Sequence, residues 1–96
     1  MPTQTLSCQD AKTLLNQGGQ LVDVRTPLEH QQYALPGSMN LPLQEISAAR
    51  KRLDKNRPVM VYCHSGTRSE QAKSFLHNMG FNKVYNLGSV QNYSHC

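Results

Sequence analysis

The segment PVMVYCHSGTRSEQAKSFLHNMG, residues 58–80, predicts a strand, a tight loop and a helix in direct succession. Its apolar run VMVY, residues 59–62, has the length of a buried strand and stops at Cys63. After a few small and polar residues, apolar side chains recur at the i, i+3, i+4, i+7 spacing of one helix face: Ala72, Phe75, Leu76 and Met79. Gly80 then closes the helix. The segment therefore places a cysteine where a buried strand meets a loop.

The rest of the chain alternates strands and helices in the same manner. Further strands are expected at 20–24, at 38–41 and within 81–86, helices start at Ser7, Thr26 and Pro42, and a last turn or short helix begins at Leu87. This order predicts one α/β domain over residues 1–96, with a central, mostly parallel sheet of about five short strands and helices on both faces. Ligands of such sheets bind at the carboxyl ends of the strands, which makes the loops after Val24 and Tyr62 the candidate sites.

The composition excludes several classes of protein. No apolar run approaches the ~20 residues that a membrane helix needs. The N-terminus MPTQTLSCQD has neither the basic nor the apolar part of a signal peptide. We therefore expect a cytoplasmic protein that does not enter a membrane, and the sequence leaves a processed secreted form open.

The net charge of +4 comes largely from one basic segment. Five of the ten Lys and Arg residues lie in ARKRLDKNRP, residues 49–58. No aromatic residues interleave with them as a base-stacking surface would require, and cations are favourable at the carbonyl end of a helix. The segment is therefore interpreted as a solvated helix end and not as a nucleic-acid site. The charge favours an acidic partner or an anionic substrate.

The cysteines Cys8, Cys63 and Cys96 are too few for a disulfide framework, and their odd number leaves at least one free thiol. No CxxC pair is present, and the histidines lack metal-ligand spacing with the cysteines, so we expect no metal site and no cofactor. Cys8 is expected to have no partner. His30 is expected on the surface.

The loop after Cys63 has the features of an anion-binding site. Gly66 permits a tight curl in which successive backbone amides point inward, and the following helix adds its unpaired N–H groups. Arg68 adds a permanent cation. Such surroundings favour the thiolate, which is the nucleophile, and stabilise an anionic adduct on sulfur, either persulfide or phosphate.

A structural interpretation of Cys63 competes with the catalytic one. A lone cysteine at a strand end is often a small buried hydrophobic residue, and Gly66 and Arg68 would then be turn and helix-start residues. However, a cation in the first turn of a helix opposes the helix dipole and needs a compensating reason. The combination of residues favours the catalytic interpretation.

Three segments together give the chain its resemblance to a known family. They are LVDVRTPLEHQQYALPGSMNLPL at 21–43, VYCHSGTRS at 61–69 and LGSV at 87–90. In this order and spacing they resemble the signatures of the rhodanese-like family, specifically its small single-domain bacterial sulfurtransferases. The resemblance covers nearly the whole chain and implies a rhodanese-like fold.

The resemblance implies that Cys63 takes sulfane sulfur from thiosulfate or another donor, and passes it to cyanide or a thiol acceptor such as a protein thiol. Backbone amides of the loop would cradle the transferred sulfur: His64, Ser65, Gly66, Thr67, Arg68 and Ser69. The Arg68 side chain would draw the sulfonate end of the donor. Asp23 and Arg25 would support the loop as a brace with Glu29. We expect a monomer.

Two alternatives remain beside the sulfurtransferase. A persulfide carrier or regulatory module would use the same loop without fast turnover. Related phosphatases of this fold have a loop one residue longer, whereas four residues separate Cys63 from Arg68 here. His64 stands where many family members have arginine, which weakens the positive field. Cys96 is expected to be a frayed terminal residue, with a resolving or sulfur-accepting thiol as the alternative.

Overall fold

A computed structural model describes residues 6–93 and residue 96, and a four-stranded parallel sheet forms their centre. In chain order the strands are β1 (Gln20–Asp23), β2 (Met39–Asn40), β3 (Val59–Cys63) and β4 (Val84–Ser89). Their order in the sheet is β2-β1-β3-β4, and all three pairings are parallel. The predicted α/β class is confirmed, with four strands in the described residues where about five were expected.

Helices and 3₁₀ turns connect the strands. The α-helices are α1 (Cys8–Asn16), α2 (Pro27–Gln32), α3 (Ala49–Arg52) and α4 (Thr67–Asn78), and the 3₁₀ segments are Leu43–Ala48 and Val90–Asn92. The Ser7 side chain caps α1 by accepting a hydrogen bond from the Asp10 amide. Thr26 and Glu29 form a reciprocal capping box at α2. Sequence signals for both helix starts are therefore confirmed.

Strand β3 is buried on both faces, which explains its uninterrupted apolar sequence. Val59, Val61 and Cys63 join one apolar core with residues of α3 and α4. Met60 and Tyr62 join a second core with residues of α1 and the C-terminal turn. The alternation directs the Cys63 side chain towards α4.

Two predicted elements differ from the structure. The helix expected from Pro42 begins as a 3₁₀ segment and becomes α-helical only at Ala49. Residues 87–89 were expected to start the last turn, but they form the end of β4. They belong to the sheet because they pair with β3, with Ser89 opposite Cys63. A bulge shifts the register of this pairing between Val61 and Tyr62.

The expectation that Cys8 and Cys96 are unpaired is wrong, because they form a disulfide. Their Cα atoms lie 5.9 Å apart although 88 positions separate them in sequence. The first turn of α1 therefore lies beside the segment that follows β4. A second contact joins the same two regions, because the Tyr93 hydroxyl donates a hydrogen bond to the Leu6 carbonyl. Cys96 is thus neither a frayed end nor a free accepting thiol, and Cys63 is the free cysteine.

None of the helices in the described part of the chain is both long and apolar enough to cross a membrane.

Candidate active site

Cys63 is the last residue of β3, and its side chain is fully buried beneath the loop that leads to α4. The Gly66 amide donates to its sulfur over 2.9 Å, and the Ser69 amide donates over 3.4 Å. The Ser69 hydroxyl also lies 3.4 Å from the sulfur. A cysteine that served only as a small apolar residue would not need these donors, so the contacts favour the catalytic interpretation.

Gly66 makes the tight curl of the loop possible. Its φ of +95° lies in the left-handed region, where a side chain is unfavourable. A Cβ atom at this position would also meet the Cα of Gly88 at 3.4 Å. The left-handed backbone at Gly66 therefore forms the curl that turns the Gly66 amide towards the sulfur.

The surroundings of Cys63 act on its ionisation in opposite directions. Burial raises the pKa of the thiol, because it disfavours the charged form. A hydrogen bond from the Ser69 hydroxyl, when its proton points to the sulfur, and those from the amides of Ser69, Gly66 and Ser65 stabilise the thiolate and lower that pKa. The net effect holds the pKa of Cys63 below its ordinary value, which favours the nucleophilic form.

Arg68, in the first turn of α4, is held by an ion pair with Glu29 of α2. Its two terminal nitrogens donate to the two carboxylate oxygens over 2.8 Å and 3.1 Å. This forked contact lowers the pKa of Glu29 to about 2. The hydrogen bonds to Glu29 raise the pKa of Arg68, and the negative charge of a Cys63 thiolate raises it further, because the guanidinium and the thiolate attract each other. Glu29 thus supplies the compensating reason for a cation at this helix start.

The brace predicted for Asp23 and Arg25 is present, but Glu29 takes no part in it, because Glu29 bonds to Arg68 and Thr26. Arg25 donates from its side chain to both carboxylate oxygens of Asp23, over 2.9 Å and 2.7 Å. Burial raises the pKa of Asp23, but the hydrogen bonds from Arg25 outweigh this effect and lower it.

Two further residues, missed by sequence reasoning, complete this brace. His30, expected on the surface, lies with Nδ1 2.9 Å from the Asp23 carboxylate. The Tyr62 hydroxyl donates to the same carboxylate over 3.2 Å. Because Tyr62 precedes Cys63 in β3, the brace ties the carboxyl ends of β1 and β3 together beside the loop.

The remaining loop residues lie on the outside of the curl. The side chains of His64, Ser65 and Thr67 are exposed, and of these three residues Ser65 acts on the sulfur through its backbone amide. An open cavity of about 570 Å³ adjoins the loop, and Ser65, Glu70 and Asn92 are among the residues that line it. Asn86 also lines this cavity and was not singled out from the sequence. The signal that could have marked Asn86 is a polar residue among the apolar residues of a strand.

Comparisons with known proteins agree with this architecture. The family model of the rhodanese-like domain matches residues 7–96. A protein named sulfurtransferase from Allochromatium vinosum is 42% identical over 70% of this chain, and the match spans 63% of that protein's length, less than two thirds. The thiosulfate sulfurtransferase PspE of Escherichia coli is 42% identical over 73% of this chain and 69% of its own length. A solved E. coli rhodanese with anions superposes with a TM-score of 0.70 at 39% identity, covering 77% of this chain and 89% of that one.

Proposed function

The chain belongs to the rhodanese-like domain family, and on that premise we propose that it is a thiosulfate sulfurtransferase that carries sulfur on Cys63. The observation that carries the proposal is the 2.9 Å hydrogen bond from the Gly66 amide to the Cys63 sulfur, within a loop of inward-facing amides. Relatives named sulfurtransferase support the reaction class. The same amides would stabilise negative charge on a sulfur atom attached to Cys63.

The proposed reaction has two steps, each a displacement at sulfur. In the first, the Cys63 thiolate attacks the outer sulfur of thiosulfate, the sulfur–sulfur bond breaks, and sulfite leaves with the bonding electron pair. Cys63 then carries a persulfide anion. In the second, cyanide attacks the terminal sulfur, thiocyanate leaves, and the Cys63 thiolate is regenerated; a thiolate acceptor would take the sulfur as its own persulfide.

Arg68 is proposed to attract the sulfonate end of the donor while it remains paired with Glu29. The ion pair with Glu29 uses one N–H of each terminal nitrogen of Arg68. The Arg68 side chain is also 34% exposed, so solvent and ligands can reach it. Guanidinium has five N–H donors, so others remain for an anion. The amides of residues 64–69 would bind the transferred sulfur, and Asp23 and Arg25 would hold the strand ends in place.

The proposal is tested by mass spectrometry of the intact protein after treatment with thiosulfate. We expect a gain of one sulfur atom, about 32 Da, in the wild-type protein and none in Cys63→Ser. The Cys8–Cys96 disulfide contributes no free thiol to this reaction. A wild-type protein that stays unmodified would refute thiosulfate as donor.

Turnover assays separate the proposed enzyme from the two alternatives. Thiocyanate production from thiosulfate and cyanide would support the enzyme, whereas a persulfide that forms but is released slowly would favour a carrier or regulatory module. Hydrolysis of an aryl phosphate without sulfur transfer would favour a phosphatase, which the four-residue separation of Cys63 and Arg68 disfavours.

The cellular location and assembly are part of the proposal. We keep the prediction from the sequence that the protein is cytoplasmic and monomeric and that residues 1–96 form a single domain. The Cys8–Cys96 disulfide bears on location, because such bonds persist mainly in oxidising compartments. Thiol labelling of the protein in freshly lysed cells distinguishes the two: three reactive cysteines fit the cytoplasm, and one fits an oxidising compartment.

A further inference from the structure

The Asn86 side chain in β4 makes four polar contacts at the Cys63 loop. Its amide nitrogen donates to the Gly66 carbonyl over 3.2 Å and to the Glu70 carboxylate over 3.0 Å. Its carbonyl oxygen accepts from the Gly88 amide over 2.8 Å and from the Ser69 hydroxyl over 2.6 Å. Every polar atom of this side chain therefore has a partner.

These partners fix which end of the Asn86 amide faces Ser69. The reversed orientation would set the NH₂ group against the Gly88 N–H, and the oxygen against the Gly66 carbonyl and the Glu70 carboxylate. The oxygen therefore faces Ser69. It carries no hydrogen, so the short contact of 2.6 Å requires Ser69 to donate.

The Ser69 hydroxyl has one proton and more than one acceptor. It lies 2.6 Å from the Asn86 oxygen, 3.1 Å from the Gly66 carbonyl and 3.4 Å from the Cys63 sulfur. While it donates to Asn86, it turns a lone pair towards the sulfur and can only accept from the S–H of a neutral thiol. To stabilise a thiolate it must turn its proton to the sulfur and give up Asn86.

We propose that Asn86 is a positioning residue that sets the thiolate fraction of Cys63 by competing for the single proton of Ser69. The inference rests on the proposed function in that Cys63 is taken as the sulfur-carrying residue. Asn86 favours the neutral thiol, so it raises the pH at which Cys63 becomes a nucleophile. In the same geometry it braces the loop through Gly66.

Charged groups on the neighbouring elements act on Cys63 as well. Arg68 of α4 attracts the thiolate, and Glu29 of α2 partly offsets that cation. Glu70 of α4 bonds to Asn86, and His64 lies next in the loop. All four are retained in the variants below. Because Asn86→Leu also breaks the bond to Glu70, the comparison between the Ser69 and Ser69→Ala backgrounds is what isolates the proton of Ser69.

The test is a pH titration of the thiolate by its ultraviolet absorbance, which needs no reagent to reach the buried sulfur. Each variant is referenced to the same variant carrying Cys63→Ser, which cancels the tyrosines. Asn86→Leu keeps a branched side chain but removes the acceptor. We expect the titration midpoint of Cys63 in Asn86→Leu to fall by about 0.5 pH unit relative to wild type. At a given pH well below the midpoint, the variant would then have an approximately threefold higher ratio of thiolate to thiol than wild type.

The decisive control is the same substitution in a Ser69→Ala background. There the proton is absent, so Asn86→Leu should leave the midpoint unchanged. No shift in the Ser69 background, or an equal shift in both, would overturn the proposal. Because no sulfur donor is present, this result is independent of whether Cys63 accepts sulfur from thiosulfate.

A second variant covers the case in which Asn86→Leu fails to fold, as judged by circular dichroism. Asn86→Asp keeps an oxygen for the Ser69 proton and adds negative charge, so the midpoint should rise. The rise should be smaller in the Ser69→Ala background, because only the charge effect remains there. Equal rises in the two backgrounds would contradict a role for the Ser69 proton.

Discussion

The ion pair between Arg68 and Glu29 sets the net charge beside Cys63. Arg68 alone would give the loop a full positive charge, but Glu29 lies within hydrogen-bond distance of both its terminal nitrogens. An anionic donor of the proposed reaction would therefore meet a neutralised pair and not an isolated cation. In that reaction the backbone amides would carry a larger share of anion recognition than the sequence suggests.

The ion pair also predicts how stability depends on pH. The pKa of Glu29 is lowered from 4.5 to about 2 in the folded protein. Its stabilising effect is therefore complete above about pH 4.5 and is lost as the pH falls towards 2. We expect Glu29→Gln to have a lower Tm than wild type at neutral pH, and the difference to shrink as the pH falls through about 2.

Asp54→Asn provides the matched control for this measurement. It removes the same charge from the turn before β3, away from the Cys63 loop, and keeps an oxygen for the Asn56 amide. The Asp54→Asn variant keeps Glu29, so its Tm should fall between pH 4.5 and 2 as the Tm of the wild-type protein does. A Tm difference between wild type and Glu29→Gln that is constant with pH would contradict the depressed pKa of Glu29.

Elements whose signals are local were predictable from the sequence. The apolar run of β3, the caps at Ser7 and Thr26 and the helical pattern of α4 each lie within a dozen residues. The apolar face predicted for α4 is only partly correct, because Ala72 and Leu76 are buried and Phe75 is exposed. The end of β4 was not predictable, because residues 87–89 carry turn-like residues and become a strand only by pairing with β3. Tertiary pairing overrides local preference there.

At the site, the same distinction holds. Cys63 and Gly66 were predictable because one short loop contains both. The contacts of Glu29 with Arg68 and of Asn86 with Ser69 join positions 39 and 17 residues apart, and no local pattern reports them. Glu29 was therefore assigned to the brace of Asp23 and Arg25 and not to Arg68, and Asn86 was overlooked.

Helix α2 carries Glu29, so its capping box should matter for both stability and the site. The Thr26 side chain accepts from the Glu29 amide, and the Glu29 carboxylate accepts from the Thr26 amide. We expect Thr26→Ala to lower the free energy of unfolding by about 1 kcal/mol, measured by urea denaturation. Thr13→Ala, whose hydroxyl bonds to the Gln9 carbonyl within α1, should change it by less than about 0.5 kcal/mol. Equal losses in the two variants would argue against the capping box.

At the scale of the whole molecule, the two ends of the described chain are joined. The disulfide connects the first turn of α1 to Cys96, and Tyr93 of the same C-terminal segment bonds to Leu6. This segment follows β4, and Asn92 within it lines the cavity beside the Cys63 loop. A closed chain therefore limits the motion of one wall of that cavity.

The disulfide should contribute substantially to stability, because it closes a loop between positions 88 residues apart. Such a link restricts the unfolded chain, and the effect is typically about 2–4 kcal/mol and increases with the length of the loop. We expect the Cys8→Ser/Cys96→Ser double variant to lose about 10 °C in Tm or more. A reducing agent should lower the Tm of wild type and of Cys63→Ser by a similar amount, and should leave the double variant unchanged. A wild-type Tm that is insensitive to reduction would show that the link between α1 and Cys96 does not stabilise the fold, and the wall of the cavity would then owe its position to packing alone.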